Sequence, residues 1–149
     1  MVTIDQIRQL REQTGVSIIE CKKALDQSEG DFEKAKELLR KWGKELAGKK
    51  SAREAKQGLI DSYIHPNKKV GVLLDIGCET DFVAKSKEFT NLSHEICLHI
   101  AAMSPISSDD LMSQPWIKDD SKTIKDLISD YIAKLGENIT IKNFARYEI

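Results

Sequence analysis

The chain has 149 residues, 40% hydrophobic and 32% charged, which supplies apolar material for one compact domain or two small ones and excludes anything larger. A formal charge of −1 excludes a polycation built to coat nucleic acid, and no run approaches the ~20 apolar residues of a bilayer-spanning helix. The charge is unevenly spread, since positions 1–57 hold 13 basic and 10 acidic side chains and the remaining positions hold 10 and 14.

The first part reads as helix throughout. Ile4, Ile7, Leu10 and Arg11 follow three- and four-residue steps, with Thr3 placed to cap the start and Thr14-Gly15 to stop the turn. A second helix starts behind Ser17, with Glu20 in capping-box position, carries Ile18, Cys21, Ala24 and Leu25, and stops before Gly30. A third starts from Asp31 and places Phe32, Ala35, Leu38, Leu39 and Trp42 on one stripe. Three such helices can share one small core over residues 1–45.

Positions 40–56 hold seven basic and two acidic residues with few large apolar side chains. That run reads as a helix tail or a charged linker, bounded at 46–57, between the helical unit and the remainder of the chain. It also has the charge of a patch for RNA or an acidic partner, but no aromatic beyond Trp42 is interleaved to stack on bases.

From Gly58 the period changes to two. Ile60, Ser62 and Ile64 alternate with Asp61, Tyr63 and His65; Pro66-Asn67-Lys68-Lys69 turns the chain; Val70, Val72, Leu74, Ile76 and Cys78 line one face of a second strand. Helical spacing returns at Phe89, Leu92, Ile96, Ile100 and Met103, and again at Ile124, Leu127, Ile128, Tyr131 and Leu135, with Pro105 and Pro115 interrupting and Gly136 ending the last helix. A third strand runs from Ile139 to Tyr147, in which Phe144 is out of phase with Ile141 and marks a bulge. The fold class is therefore α+β: an N-terminal three-helix unit and, over 58–149, a small three-stranded antiparallel sheet packed with helices.

Equipment for covalent chemistry is sparse. His65, His94 and His99 form no i,i+4 metal pair with a supporting acid, no GxxxxGK[ST], GxGxxG or GxSxG pattern occurs, and Cys21, Cys78 and Cys97 are odd in number without a CxxC pair. No metal and no cofactor is expected, and the cysteine usage fits a reducing compartment. The start Met1-Val2-Thr3-Ile4-Asp5 enters helical periodicity at once, with no signal core or transit pattern, so a cytoplasmic location is expected. The distinctive segment is Cys78-Glu79-Thr80-Asp81-Phe82-Val83-Ala84-Lys85, which sets an acid beside a large aromatic where a strand stops and a helix has not begun. Two readings are open from the residues alone. Either Asp81 and Phe82 face a partner, or Thr80 or Asp81 caps a helix while Phe82 and Val83 fold back on the core.

At these residues the sequence resembles the bacterial elongation factor Ts family. The resemblance rests on Leu10-Arg11-Glu12-Gln13-Thr14-Gly15 with Glu20-Cys21-Lys22-Lys23-Ala24-Leu25 and Gly30-Asp31, on Gly71-Val72-Leu73 leading to Cys78-Glu79-Thr80-Asp81-Phe82-Val83-Ala84, and on Ile132-Ala133-Lys134-Leu135-Gly136-Glu137-Asn138-Ile139. One departure is Val16-Ser17, where the family usually has a small Ala-Gly pair; Ile18 and Ile19 behind it keep the apolar surface.

The resemblance implies a ubiquitin-associated-type (UBA-like) fold for the three-helix unit and a guanine-nucleotide exchange factor that performs no covalent chemistry. The implied partner is elongation factor Tu in its GDP state. Thr80, Asp81, Phe82 and Val83 would form a wedge beside that partner's magnesium and phosphate site, while Arg11, Ile18, Ile19, Leu135 and Gly136 would contact its nucleotide-binding domain. The single half-core resembles the short, homodimeric forms of the family. No membrane and no nucleic acid is required, and the competing reading is a ribosome- or RNA-associated binding module without exchange activity.

Overall fold

A computed structural model describes all residues from Met1 to Ile149. Three helices open the chain: α1 (Ile4–Thr14), α2 (Ile18–Gln27) and α3 (Phe32–Lys50). The N-cap residues are the expected ones, but Glu20 does not close a capping box, since its carboxylate takes no hydrogen bond from Ser17 N–H. Thr3 and Gln6 form a reciprocal capping box, Ser17 accepts from Glu20 N–H, Asp31 accepts from Lys34 N–H, and Gly15 closes α1 with φ 71°. Ile7, Leu10, Cys21, Ala24, Leu25, Ala35 and Leu39 bury one another as a first small core.

Helix α3 does not stop with that core. It passes unbroken through position 46, where the sequence reading began the linker, and ends at Lys50. Small residues make this possible: a Cβ added to Gly43 would stand 3.4 Å from the Cβ of Ala133 on α7 (Ile124–Leu135), and Ala47 is buried among residues of the second core. A larger side chain at either place would hold the two helices apart.

The second core lies under a sheet of β1 (Gln57–Ile64), β2 (Val70–Cys78) and β5 (Thr140–Glu148), antiparallel in the order β1-β2-β5. The expected bulge is there, because the β2–β5 register shifts between Asp75 and Ile76 and the partners jump from Asn143 to Ile141. Val72, Leu74, Ile76 and Cys78 face inward onto α5 (Lys87–Met103) and α7, meeting Phe89, Leu92, Ile96, Ile100, Leu127, Ile128 and Ile132. Between those helices lie α6 (Ser108–Ser113) and a small ribbon of β3 (Pro115–Trp116) and β4 (Asp119–Thr123), neither of which the periodicity predicts.

The outer face of the sheet is unusual. Ile60 and Ile64 point away from α5 and are exposed, whereas Asp61 between them turns inward and accepts from Ser93 Oγ at 2.6 Å. Register pairs Ser62 with Leu73, Ile64 with Gly71, and Gly71 with Tyr147. Ile60, Ile64, Leu73 and Tyr147 therefore share one uncovered face.

Candidate functional site

The segment after β2 divides: Thr80 and Val83 follow the capping and packing reading, while Asp81 and Phe82 do not fold back and are exposed. Thr80 is an N-cap, its hydroxyl accepting from Val83 N–H at 3.3 Å and starting the single turn α4 (Asp81–Ala84). Val83 folds into the core and is 6% exposed, but Phe82 stands out at 83% exposure. Asp81 is exposed as well, its carboxylate 3.8 Å from Lys85 Nζ one turn on. Of the four residues expected to form a wedge, two are presented and two do the anchoring.

What holds the turn comes from more than fifty positions away. Glu137 comes directly after Gly136, the left-handed cap of α7 with φ 76°, which sends the chain back toward the end of β2. Glu137 Oε1 accepts from Glu79 N–H at 3.1 Å and from Thr80 N–H at 2.9 Å, and Oε2 accepts from Thr80 Oγ1 at 2.7 Å. Glu79 answers from the other side, its Oε1 accepting from Asn138 N–H at 2.8 Å. Asn138 Nδ2 donates to Arg53 O at 2.8 Å, and the Arg53 guanidinium lies 3.6 Å from Glu79 Oε2. The sequence motifs around Thr80 and around Gly136 thus meet as one structure.

Cys78 closes the arrangement from beneath. Burial pushes its thiol above the ordinary range, and the nearby Glu137 carboxylate pushes it further. The proton stays on sulfur, and Sγ donates to Thr80 O at 3.1 Å. Burial likewise raises Cys21, and Cys97 is pushed up to about 12, so none of the three thiols has thiolate character.

The other expected contact residues divide between the two cores. Arg11, Ile18 and Ile19 lie on the surface of the three-helix unit, the two isoleucines exposed at the start of α2. Leu135 is half-buried against the second core, and Gly136 O accepts from Lys50 Nζ at the end of α3. The basic run is drawn into such contacts: Lys44 reaches Asp126 at 3.2 Å, Arg53 reaches Glu79, and Lys50 reaches Gly136. Asp126 is partly buried, which pushes its carboxyl up, but Thr123 N–H and Lys44 outweigh this and hold it below the usual range.

Histidine serves structure. His99 is buried on α5, accepts from Ile117 N–H through Nδ1 at 3.3 Å and pairs with Gln114 Oε1 through Nε2 at 2.9 Å, which assigns the hydrogen to Nε2. Burial lowers its pKa against the opposing effect of Gln114. His65 Nδ1 lies 2.9 Å from Tyr63 OH at the exposed hairpin end. No three His, Cys, Asp or Glu side chains converge to hold a metal, and no helix is long and apolar enough to cross a membrane. What the arrangement offers chemically is an exposed aromatic ring and carboxylate on a hydrogen-bonded base.

Residues 79–149, which start within the anchored turn and run through Glu137 to the end, match the family model described as Elongation factor TS. Elongation factor Ts of Thermotoga neapolitana is 40% identical over 191 positions, covering 99% of this chain and 97% of that protein. The Elongation factor Ts proteins of Coprothermobacter proteolyticus and of Thermoanaerobacter sp. are 39% and 38% identical over 193 positions, with 99% of this chain and 98% and 95% of theirs covered. Each alignment is longer than the 149-residue chain, so these relatives carry internal segments that this chain lacks.

Proposed function

Because this chain belongs to the elongation factor Ts family, and is on that account a translation elongation factor, we propose that it acts as a guanine-nucleotide exchange factor for elongation factor Tu in the cytoplasm. A GTPase holds GDP through phosphate-cradling amides and a bridging magnesium, so a group that intrudes there removes much of the binding energy. Asp81 and Phe82 are that group. The observation that carries the reading is the pairing of a free aromatic tip with a fixed base: Phe82 is 83% exposed while the residues on either side of the Asp81-Phe82 pair, Thr80 and Val83, are tied down.

Exchange without covalent chemistry is a matter of linkage. If the factor weakens GDP binding by some ratio, GDP weakens the factor's binding by the same ratio, and the ternary complex passes on to nucleotide-free complex. Arg11, Ile18 and Ile19 on a UBA-like unit (1–45), with Leu135 and Gly136 on the half-core (58–149), would hold the tip in register against the nucleotide-binding domain, the segment 46–57 joining the two. The uncovered sheet face with Ile60, Ile64, Leu73 and Tyr147 supports a homodimer in which a second copy covers it.

The test is release of fluorescent GDP from elongation factor Tu with and without this protein. The expected result is acceleration that saturates at micromolar factor. Unchanged release at that concentration would end the exchange reading.

A further inference from the structure

We propose that Glu137 is a positioning residue for the exposed tip: its carboxylate fixes the turn from which Asp81 and Phe82 project. The proposal rests on the wedge reading above and names the part that aims the wedge.

Thr80 is held at every polar group it owns. Its N–H and its hydroxyl both donate to Glu137, the hydroxyl also accepts from Val83 N–H, and its carbonyl accepts from Cys78 Sγ. Asp81 and Phe82 come next in the chain and have no comparable ties, the Asp81 side chain reaching only Lys85 on the same segment. Their direction is therefore inherited from the two flanks, Val83 seated in the core and Thr80, whose N–H and hydroxyl are both held by Glu137.

The hydrogen bonds involved are charge-assisted, and three donors from two consecutive residues converge on one carboxylate. Glu79 and Glu137 bring two carboxylates to one corner, with Arg53 the cation in ion-pair range of Glu79. Such a pair is favourable only while each carboxylate satisfies the amides of the opposite loop, so a shift of either loop forfeits both sets together. That makes the corner stiff where a partner would push back. A wedge on a loose loop would yield to the GTPase and lose the strain it must exert.

The experiment compares wild type, Phe82→Ala, Glu137→Ala, Glu137→Gln and the double variant Phe82→Ala/Glu137→Ala in fluorescent GDP release from elongation factor Tu. Saturating rate and half-saturating concentration are read separately, and amide hydrogen exchange is followed in the free factor. Glu137→Ala is expected to lower the saturating rate about tenfold and to expose the Glu79 and Thr80 amides, while amides of α5 and α7 stay protected. In the Phe82→Ala background the same substitution should cost less, because only Asp81 is left for it to misplace. Glu137→Gln, which keeps one oxygen for the two N–H donors, should recover part of the rate. An equal loss in both backgrounds, an unchanged saturating rate, or Gln behaving as Ala would overturn the proposal. Should Glu137→Ala fail to fold, Glu137→Gln in the two backgrounds decides by the same comparison. If Phe82→Ala itself leaves release untouched, the wedge reading falls and the positioning role with it, whereas a failure confined to Glu137 leaves the wedge standing.

Discussion

Phe82 and Phe89 lie seven positions apart and invite the same substitution with opposite consequences. Phe89 is wholly buried beneath the sheet, and truncating it to alanine removes its ring from water-free contact and leaves a cavity, at a cost of about 3–5 kcal/mol. For a chain of this size that lowers the thermal midpoint by roughly 6–20 °C. Phe82 is 83% exposed, so Phe82→Ala should change stability by less than about 0.5 kcal/mol. Burying that ring against a partner is instead worth about 1.5–3 kcal/mol. If the contact forms only as GDP leaves, its loss slows release about tenfold to a hundredfold. Calorimetry on the free variants and stopped-flow release of fluorescent GDP separate the two quantities. A midpoint for Phe82→Ala as low as that of Phe89→Ala would mean that the ring packs on its own molecule. Unaltered release with an unaltered midpoint would mean that the ring is not what enters the partner.

Two further outcomes are expected. His99 has its pKa lowered in the fold, so the unfolded chain binds its proton first as pH falls; stability holds above about pH 6.5 and declines below it with a slope of up to about 1.4 kcal/mol per pH unit. Chemical denaturation of wild type and His99→Gln between pH 7.5 and 5 should show that decline in wild type alone, and parallel curves would refute it. On the proposed homodimer, wild type should sediment as a dimer at tens of micromolar and Leu73→Glu, in the middle of the uncovered sheet face, as a monomer with helix content preserved. Equal masses for the two proteins would remove the argument for a covered face.

The local signals were legible because their causes are local. Thr3, Ser17 and Asp31 cap helices from three residues away, and Gly15 and Gly136 end them where a left-handed residue is needed. The bulge opposite Ile76 shows as a phase error between Ile141 and Phe144. The ribbon of β3 and β4 had no such signature: Asp119–Thr123 is polar and its pairing is fixed from α5, where His99 takes Ile117 N–H. The division of Thr80 to Val83 was also hidden, since one turn is too short for periodicity to separate an inward Val83 from an outward Phe82. Glu137, which orients that turn, is 57 positions from Thr80. Of the two readings of the basic run, the helix tail holds as far as Lys50; the approach of α3 to α7 was hidden because Gly43 and Ala47, which permit it, register as weakly apolar.

The continuity of α3 makes the molecule a yardstick. Modules strung on slack chain reach their targets independently and tolerate length changes between them, but these two ride one stiff rod. Each residue added near Lys44 would swing Ile18 and Ile19 by about 100° around the helix axis and shift them about 1.5 Å along it relative to Phe82. Spacing along this rod is thus quantised in turns: a single inserted residue would keep Ile18, Ile19 and Phe82 exposed but, on the proposed function, leave them unable to meet one partner together.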